Sequence, residues 1–319
     1  MRAFIFPGQG SQAVGMGSAL SAASPVAREV FQEVDDALEQ RLTRLMAEGP
    51  ADELTLTENA QPAIMANAIA TLRVIEKEGG ITLAGKADYV AGHSLGEYSA
   101  LCAAGAFDLA TTARLLKVRG RAMQAAVPVG EGAMAALLGT DLDTARTIAG
   151  AAVDSILAEG GAELVCTVAN DNDPTQVVIS GHRPAIERAI ALAKGLGAKR
   201  AVLLPVSAPF HCPLMQDAAD AMERALVDAA ITTPLVPVYC NVDAAAIADP
   251  GAIRTALVAQ VTGMVRWRES VQRMAGEGVT HFVELGGKVL GPMVKRIAPD
   301  VEVTSVVSMD DIEAVLKVI

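Results

Sequence analysis

Asp88-Tyr89-Val90-Ala91-Gly92-His93-Ser94-Leu95-Gly96-Glu97-Tyr98 is the stretch on which the reading of this chain turns. Asp88 to Ala91 is a short strand-like run, Leu95 to Ala104 has a helical pattern, and between them stands G-x-S-x-G. A strand that passes directly into a helix is a building step of an α/β sheet. The turn needs unusual backbone angles and close packing, which side chains at Gly92 and Gly96 would obstruct. Ser94 then projects from the turn, and the first backbone N–H of the helix, that of Leu95, is placed to hold the oxygen of a tetrahedral intermediate. An ordinary tight turn is the plain alternative, and the strand-then-helix context favours the catalytic reading.

Working outward, short β-branched or aromatic runs (Arg2 to Phe6, Val236 to Cys240, His281 to Glu284, Val301 to Ser305) alternate with helical patterns such as Pro25 to Gln40 and Pro62 to Glu78. The alternation predicts an α/β fold with a largely parallel sheet. Residues 128–204 follow a different order. Strands at Gly132 to Leu138 and Leu164 to Ala169 flank a helix from Leu142 to Ala158. Strands at Gln176 to Ser180 and Lys199 to Leu204 flank a second helix from Pro184 to Leu196. That is the split βαβ pattern of a ferredoxin-like unit, inserted into a larger lobe made of residues 1–127 and 205–319.

Composition narrows the function. A chain of 319 residues, 51% hydrophobic, has ample core. With 3% aromatic residues and a net charge of −11 it lacks stacking platforms for single-stranded nucleic acid and repels phosphate backbones and anionic lipid. The uncharged stretch Ala201 to Gln216 is broken by Pro205, Pro209 and Pro213, so no membrane helix is expected. The apolar run Ala3 to Phe6 is too short for a secretory signal, so the expected location is cytoplasmic. Cys102, Cys166, Cys212 and Cys240 are too widely spaced for a zinc site, and neither zinc nor disulfides are expected.

A serine needs a base, and the chain has four histidines. His93 is held in the turn as a structural residue, His182 sits at a helix start and His281 begins a strand. His211 lies in the proline-punctuated loop Pro205 to Pro213, where functional residues tend to sit. The loop Pro7-Gly8-Gln9-Gly10-Ser11-Gln12 after the first strand lacks both the Gly-Lys-Ser/Thr ending of a phosphate loop and the third glycine of a dinucleotide fingerprint. A glycine loop at that place can bring a second backbone N–H to an oxyanion.

Five motifs in order resemble the malonyl-CoA:acyl carrier protein transacylases and the acyltransferase domains of polyketide and fatty acid synthases. They are Phe6 to Gln12, Thr57 to Ala63 with Gln61-Pro62-Ala63, Gly92 to Tyr98, Arg119 to Gln124, and Phe210-His211. The resemblance implies an α/β-hydrolase-like core with an inserted ferredoxin-like lobe. It implies Ser94 as acylated nucleophile, His211 as base, Gln9 and Leu95 as oxyanion donors, Arg119 as holder of the malonyl carboxylate and the Gln260 carbonyl as the group orienting His211. Malonyl-CoA is then substrate rather than cofactor, no metal or redox cofactor is expected, acyl carrier protein is the acceptor, and the chain acts as a monomer. Leu95 and Phe210 resemble relatives that take malonyl rather than methylmalonyl groups.

The chain departs from the family pattern at Cys212, at Gly263-Met264 and at Gly286-Gly287-Lys288; the second departure bears on the Gln260 loop. Two other readings stand beside the transferase. A serine esterase or thioesterase would use Asp171 or Asp173 as its third residue, and a non-catalytic docking subunit would need neither. Arg183, Arg188, Lys194, Lys199 and Arg200 form a candidate basic patch for an acidic carrier protein.

Overall fold

The computed structural model describes residues 1–319. Ten strands form two sheets: β1 Arg2–Phe6, β2 Tyr89–Gly92, β3 Gly132–Leu138, β4 Cys166–Asp173, β5 Gln176–His182, β6 Arg200–Leu203, β7 Val238–Cys240, β8 Ala245–Ile247, β9 His281–Leu285 and β10 Glu302–Val306. The larger sheet has the order β10-β9-β1-β2-β7-β8. Its first four pairings are parallel, with Phe6 opposite Gly92, and only β8 runs antiparallel at the edge.

Parallel strands are covered on both faces, so β1 reads as a nearly continuous apolar run whose alternate side chains enter different cores. Phe4, Phe6 and Val90 join the large core built on helices Pro25–Leu38, Thr57–Gly79 and Leu109–Ala125. Ala3, Ile5 and Ala91 pack the other way, with Trp267, Val271, Leu290 and Val294 of helices Trp267–Gly276 and Leu290–Ile297. The β1, β2, β7 and β9 strands all end on one edge, where the loops after them gather. That edge is where open α/β sheets place their ligands.

The smaller sheet is antiparallel throughout, in the order β4-β5-β3-β6. Helices Leu142–Ala158 and Arg183–Ala193 bury their apolar faces on it, giving a separate core of alanines, valines and isoleucines.

Two elements differ from the sequence expectation for physical reasons. The expected helix start at Pro62 lies inside a helix that begins at Thr57, because burial of almost the whole segment outweighs the single backbone N–H that the proline lacks. The expected strand Leu164 to Ala169 instead runs to Asp173. Asn170-Asp171-Asn172-Asp173 has poor strand propensity, but each of the last three side chains is satisfied by the larger lobe. Asp171 accepts from Arg268 Nε on Oδ1 at 2.9 Å and has Nη2 2.8 Å from Oδ2, Asn172 bonds His93 at 2.8 Å and Asp173 bonds Arg296 at 2.8 Å. The backbone joins as well: Val265 donates to Ala169 and Asp171 donates to Val265, both at 2.9 Å.

This joint is asymmetric. Asp171 is 2% exposed, whereas the Arg268 side chain is 26% exposed. Replacing Arg268 by Ala strands a buried carboxylate and is expected to cost about 3 kcal/mol. Asp171→Ala leaves an arginine that can reach water and costs about 1–2 kcal/mol. Urea unfolding of the two variants checks the order, and equal losses would show that the carboxylate is not the constrained partner.

Candidate active site

Ser94 sits at φ 54°, ψ −111°, between β2 and helix Leu95–Ala103. Few non-glycine residues occupy such a conformation, and two glycines make it reachable here. A Cβ on Gly92 would stand 1.9 Å from the Gly96 carbonyl, and one on Gly96 would stand 2.2 Å from the Phe6 oxygen. The turn is also pinned from outside: Asn241, directly after β7, accepts from the Ser94 N–H at 2.7 Å and donates to the Gly92 carbonyl at 2.7 Å.

His211 also has positive φ, 57°, and is buried in its loop. Its Nδ1 lies 2.9 Å from the Gln260 carbonyl and its Nε2 lies 2.8 Å from Ser94 Oγ. A carbonyl only accepts, so Nδ1 carries the proton and Nε2 is left bare to accept from the serine hydroxyl. The carbonyl is available because Gln260 lies in the last turn of helix Pro250–Thr262, whose final carbonyls have no partner within the helix. The same helix end favours a positive charge on the imidazole. Gly263 and Met264 therefore leave the Gln260 carbonyl in reach of His211.

Arg119, 1% exposed, enters the site from helix Leu109–Ala125. It donates to Gln61 Oε1 at 2.9 Å, Gln260 Oε1 at 2.8 Å and Ser94 Oγ at 3.1 Å, while its Nε has no partner. None of these acceptors is a carboxylate. The guanidinium also lies 5.7 Å from the centre of the Tyr98 ring. Gln9, Ser94, Arg119, Phe210 and His211 line one cavity of about 330 Å³ together with Met123, Met134 and Asn170. Gln9 lines this cavity, and Leu95 follows Ser94 as the first residue of its helix, whose leading N–H groups have no partner within the helix.

The remaining sequence candidates are accounted for. His182 accepts from Val165 N–H, and His281 bonds Thr304. His93 bonds Asn172 rather than either reacting group. The esterase reading is corrected: Asp171 and Asp173 are taken up by Arg268 and Arg296, and a helix-end carbonyl occupies the face of His211 that a triad acid would need. Cys212 is buried, donates to the Pro209 carbonyl, and has its thiol pKa raised by burial, which makes it a poor nucleophile. Arg183 and Arg188 pair with Glu187 and Glu159 of their own lobe, leaving Lys194, Lys199 and Arg200 as the exposed members of the basic patch.

Sequence reasoning gave no role to Asn241, the Gln260 side chain or the buried Glu97, because their partners lie far away along the chain. Burial pushes Glu97 up to about 7, and burial, with the charge of Arg119, pushes His211 down to about 3. His211 is thus neutral in the folded chain at a pH where the unfolded chain protonates it. Its contribution to stability is present above its unfolded pKa of about 6.5 and is lost as pH falls below that value. Between pH 7.5 and 5.5 the stability difference between wild type and His211→Ala should shrink by about 1.4 kcal/mol. Denaturant titrations at the two pH values test this, and a difference that does not move would place the imidazole in a wetter setting.

Residues 3–290 match the family model described as acyl transferase domain. Malonyl CoA-acyl carrier protein transacylase of Escherichia coli K12 is 46% identical over 296 residues, 92% of each chain. The crystal structure of acyl-carrier-protein-S-malonyltransferase from Bartonella henselae superimposes with a TM-score of 0.94 at 52% identity, covering 99% of this chain and 98% of that one. A malonyl-transacylase solved in complex with a type II polyketide synthase acyl-carrier protein gives 0.93 at 38% identity, with 99% of both chains covered. With this match running through every strand of the parallel sheet except β10, the chain belongs to the acyl transferase domain family.

Proposed function

We propose that this chain transfers a malonyl group from malonyl-CoA to the phosphopantetheine thiol of acyl carrier protein, feeding fatty acid biosynthesis. The observation that carries the reading is Arg119: a fully buried cation without a carboxylate, 3.1 Å from the hydroxyl that His211 is placed to deprotonate. A buried charge without a counter-ion is costly, and a substrate bearing a free carboxylate supplies one. The planar guanidinium suits such a group bidentately.

Ser94 Oγ attacks the thioester carbonyl while its proton passes to His211 Nε2. The oxyanion is held by the N–H groups of Gln9 and Leu95. The C–S bond then breaks, and CoA leaves as a thiol with the proton from His211. In the second half the carrier thiol gives its proton to His211 and attacks the malonyl ester, and Ser94 recovers the proton as it departs. Atoms and charges balance without a redox step or a metal, and malonyl-CoA enters as substrate. Burial, and after it the charge of Arg119, lowers the basicity of His211, and a malonyl carboxylate on Arg119 offsets the second of these.

The finer architecture follows the same reading. Residues 1–127 and 205–319 are assigned as an α/β-hydrolase-like catalytic lobe and residues 128–204 as a ferredoxin-like insert, supported by the β4-β5-β3-β6 order and its two helices. Lys194, Lys199 and Arg200 offer an acidic carrier protein a docking surface on that insert. The proposed setting is the cytoplasm and the proposed unit a single chain. All four cysteines are free, and no helix is long and apolar enough to cross a membrane.

Intact-protein mass after brief incubation with malonyl-CoA, with acetyl-CoA in parallel, tests the proposal. Wild type should gain a malonyl adduct that holo carrier protein removes, and Ser94→Ala should gain none. Arg119→Ala should lose preference for malonyl over acetyl by about 100-fold or more. Release of free malonate as fast with water as with carrier thiol would overturn the transfer reading.

A further inference from the structure

We infer that Glu97 is a positioning residue that holds the nucleophile's turn, the base and the substrate cation in one frame, an inference that rests on the transfer chemistry proposed above. Glu97 is 1% exposed and lies behind Ser94 on the same helix, out of the cavity. One carboxylate oxygen, Oε2, accepts from Asn241 N–H at 2.8 Å and from Gln260 Nε2 at 2.9 Å. Those two residues hold everything else. Asn241 grips the Ser94 N–H and the Gly92 carbonyl. Gln260 donates Nε2 to the Ser94 carbonyl at 3.0 Å, offers Oε1 to Arg119 and presents its backbone carbonyl to His211.

Together with the Ser94 carbonyl, the carboxylate also fixes which way the Gln260 amide points. An acceptor-only group must face the amide nitrogen, which turns the oxygen toward Arg119. A neutral amide at position 97 can donate as well as accept, so the orientation is then held only by the Ser94 carbonyl and Arg119. If Gln260 reverses, its NH₂ meets the guanidinium, and Arg119 loses an acceptor in a place where water cannot replace it. The negative charge of Glu97 acts on Arg119 through this one amide, in a setting that screens little. The other groups facing Glu97 are Asp243 and Cys240, from β7 and its following loop, and Tyr98 on its own helix.

The test measures the rate of Ser94 acylation by malonyl-CoA and by acetyl-CoA, with quenched samples read by intact mass, from pH 5.5 to 8.5. Glu97→Gln should acylate about 10- to 100-fold more slowly with malonyl-CoA, while acetyl-CoA is affected less, so that the malonyl preference narrows. Wild type should slow as Glu97 takes up a proton near neutrality, a limb that Glu97→Gln lacks because it is neutral throughout. Glu97→Asp, which keeps the charge but draws it back, should recover part of the rate and of the pH dependence. A purely structural role would lower stability or the active fraction and leave the acyl preference and pH profile in place; that result overturns the inference. Should Glu97→Gln fail to fold, Glu97→Asp carries the test, and an acyl preference and profile equal to wild type overturn it equally. No adduct on wild type would overturn the transfer reading itself, whereas an adduct on wild type with unchanged variants removes only the role of Glu97.

Discussion

A serine held at φ 54° is a backbone under strain of about 1–3 kcal/mol, and it persists only where its surroundings leave no alternative. Most of what lies at the carboxyl edge of the large sheet serves that end. Gly92 and Gly96 let the strand and helix close on each other, and the Phe6 carbonyl lies where any side chain at Gly96 would have to be. Asn241 then clamps both peptide groups that flank the turn. The serine is presented by the meeting of β1, β2 and β7, rather than by the pentapeptide alone.

Burial sets the electrostatics around that turn. Arg119, Glu97 and His211 are each almost fully enclosed, so each shifts toward its neutral form unless a partner opposes it. No direct ion pair resolves the tension. Arg119 and Glu97 meet through the Gln260 amide, and His211 gains a carbonyl instead of a carboxylate. An acid on Nδ1 of His211 would raise its basicity whether or not substrate were present. A carbonyl orients the ring without that charge, so the state of Arg119 weighs more heavily on the base.

Much of this was legible in the chain because it follows from local rules. The elbow declares itself through two glycines and a serine between a strand and a helix, and the insert through its order of elements. Pairing of His211 with Ser94 was readable by elimination of three other histidines. What stayed hidden is non-local. Asn241 and the Gln260 side chain gain their roles from a residue 147 and 166 positions away in sequence, and no pattern around either one signals it. The polar run Asn170 to Asp173 was misjudged in a related way: its propensity belongs to a loop, yet partners on the larger lobe make it a strand.

That run also bears on how the site is closed. His93, inside the elbow, bonds Asn172, and Asn170 lines the cavity, so the end of β4 forms one wall beside the nucleophile. The residues on either side of Asn172 are anchored by arginines of helices Trp267–Gly276 and Leu290–Ile297, which back the opposite face of the large sheet. A wall fastened at two buried carboxylates cannot swing as a hinged lid without stranding them. Leu204, Pro205 and Val206, from the loop between β6 and His211, also line the cavity, and no ion pair holds that loop.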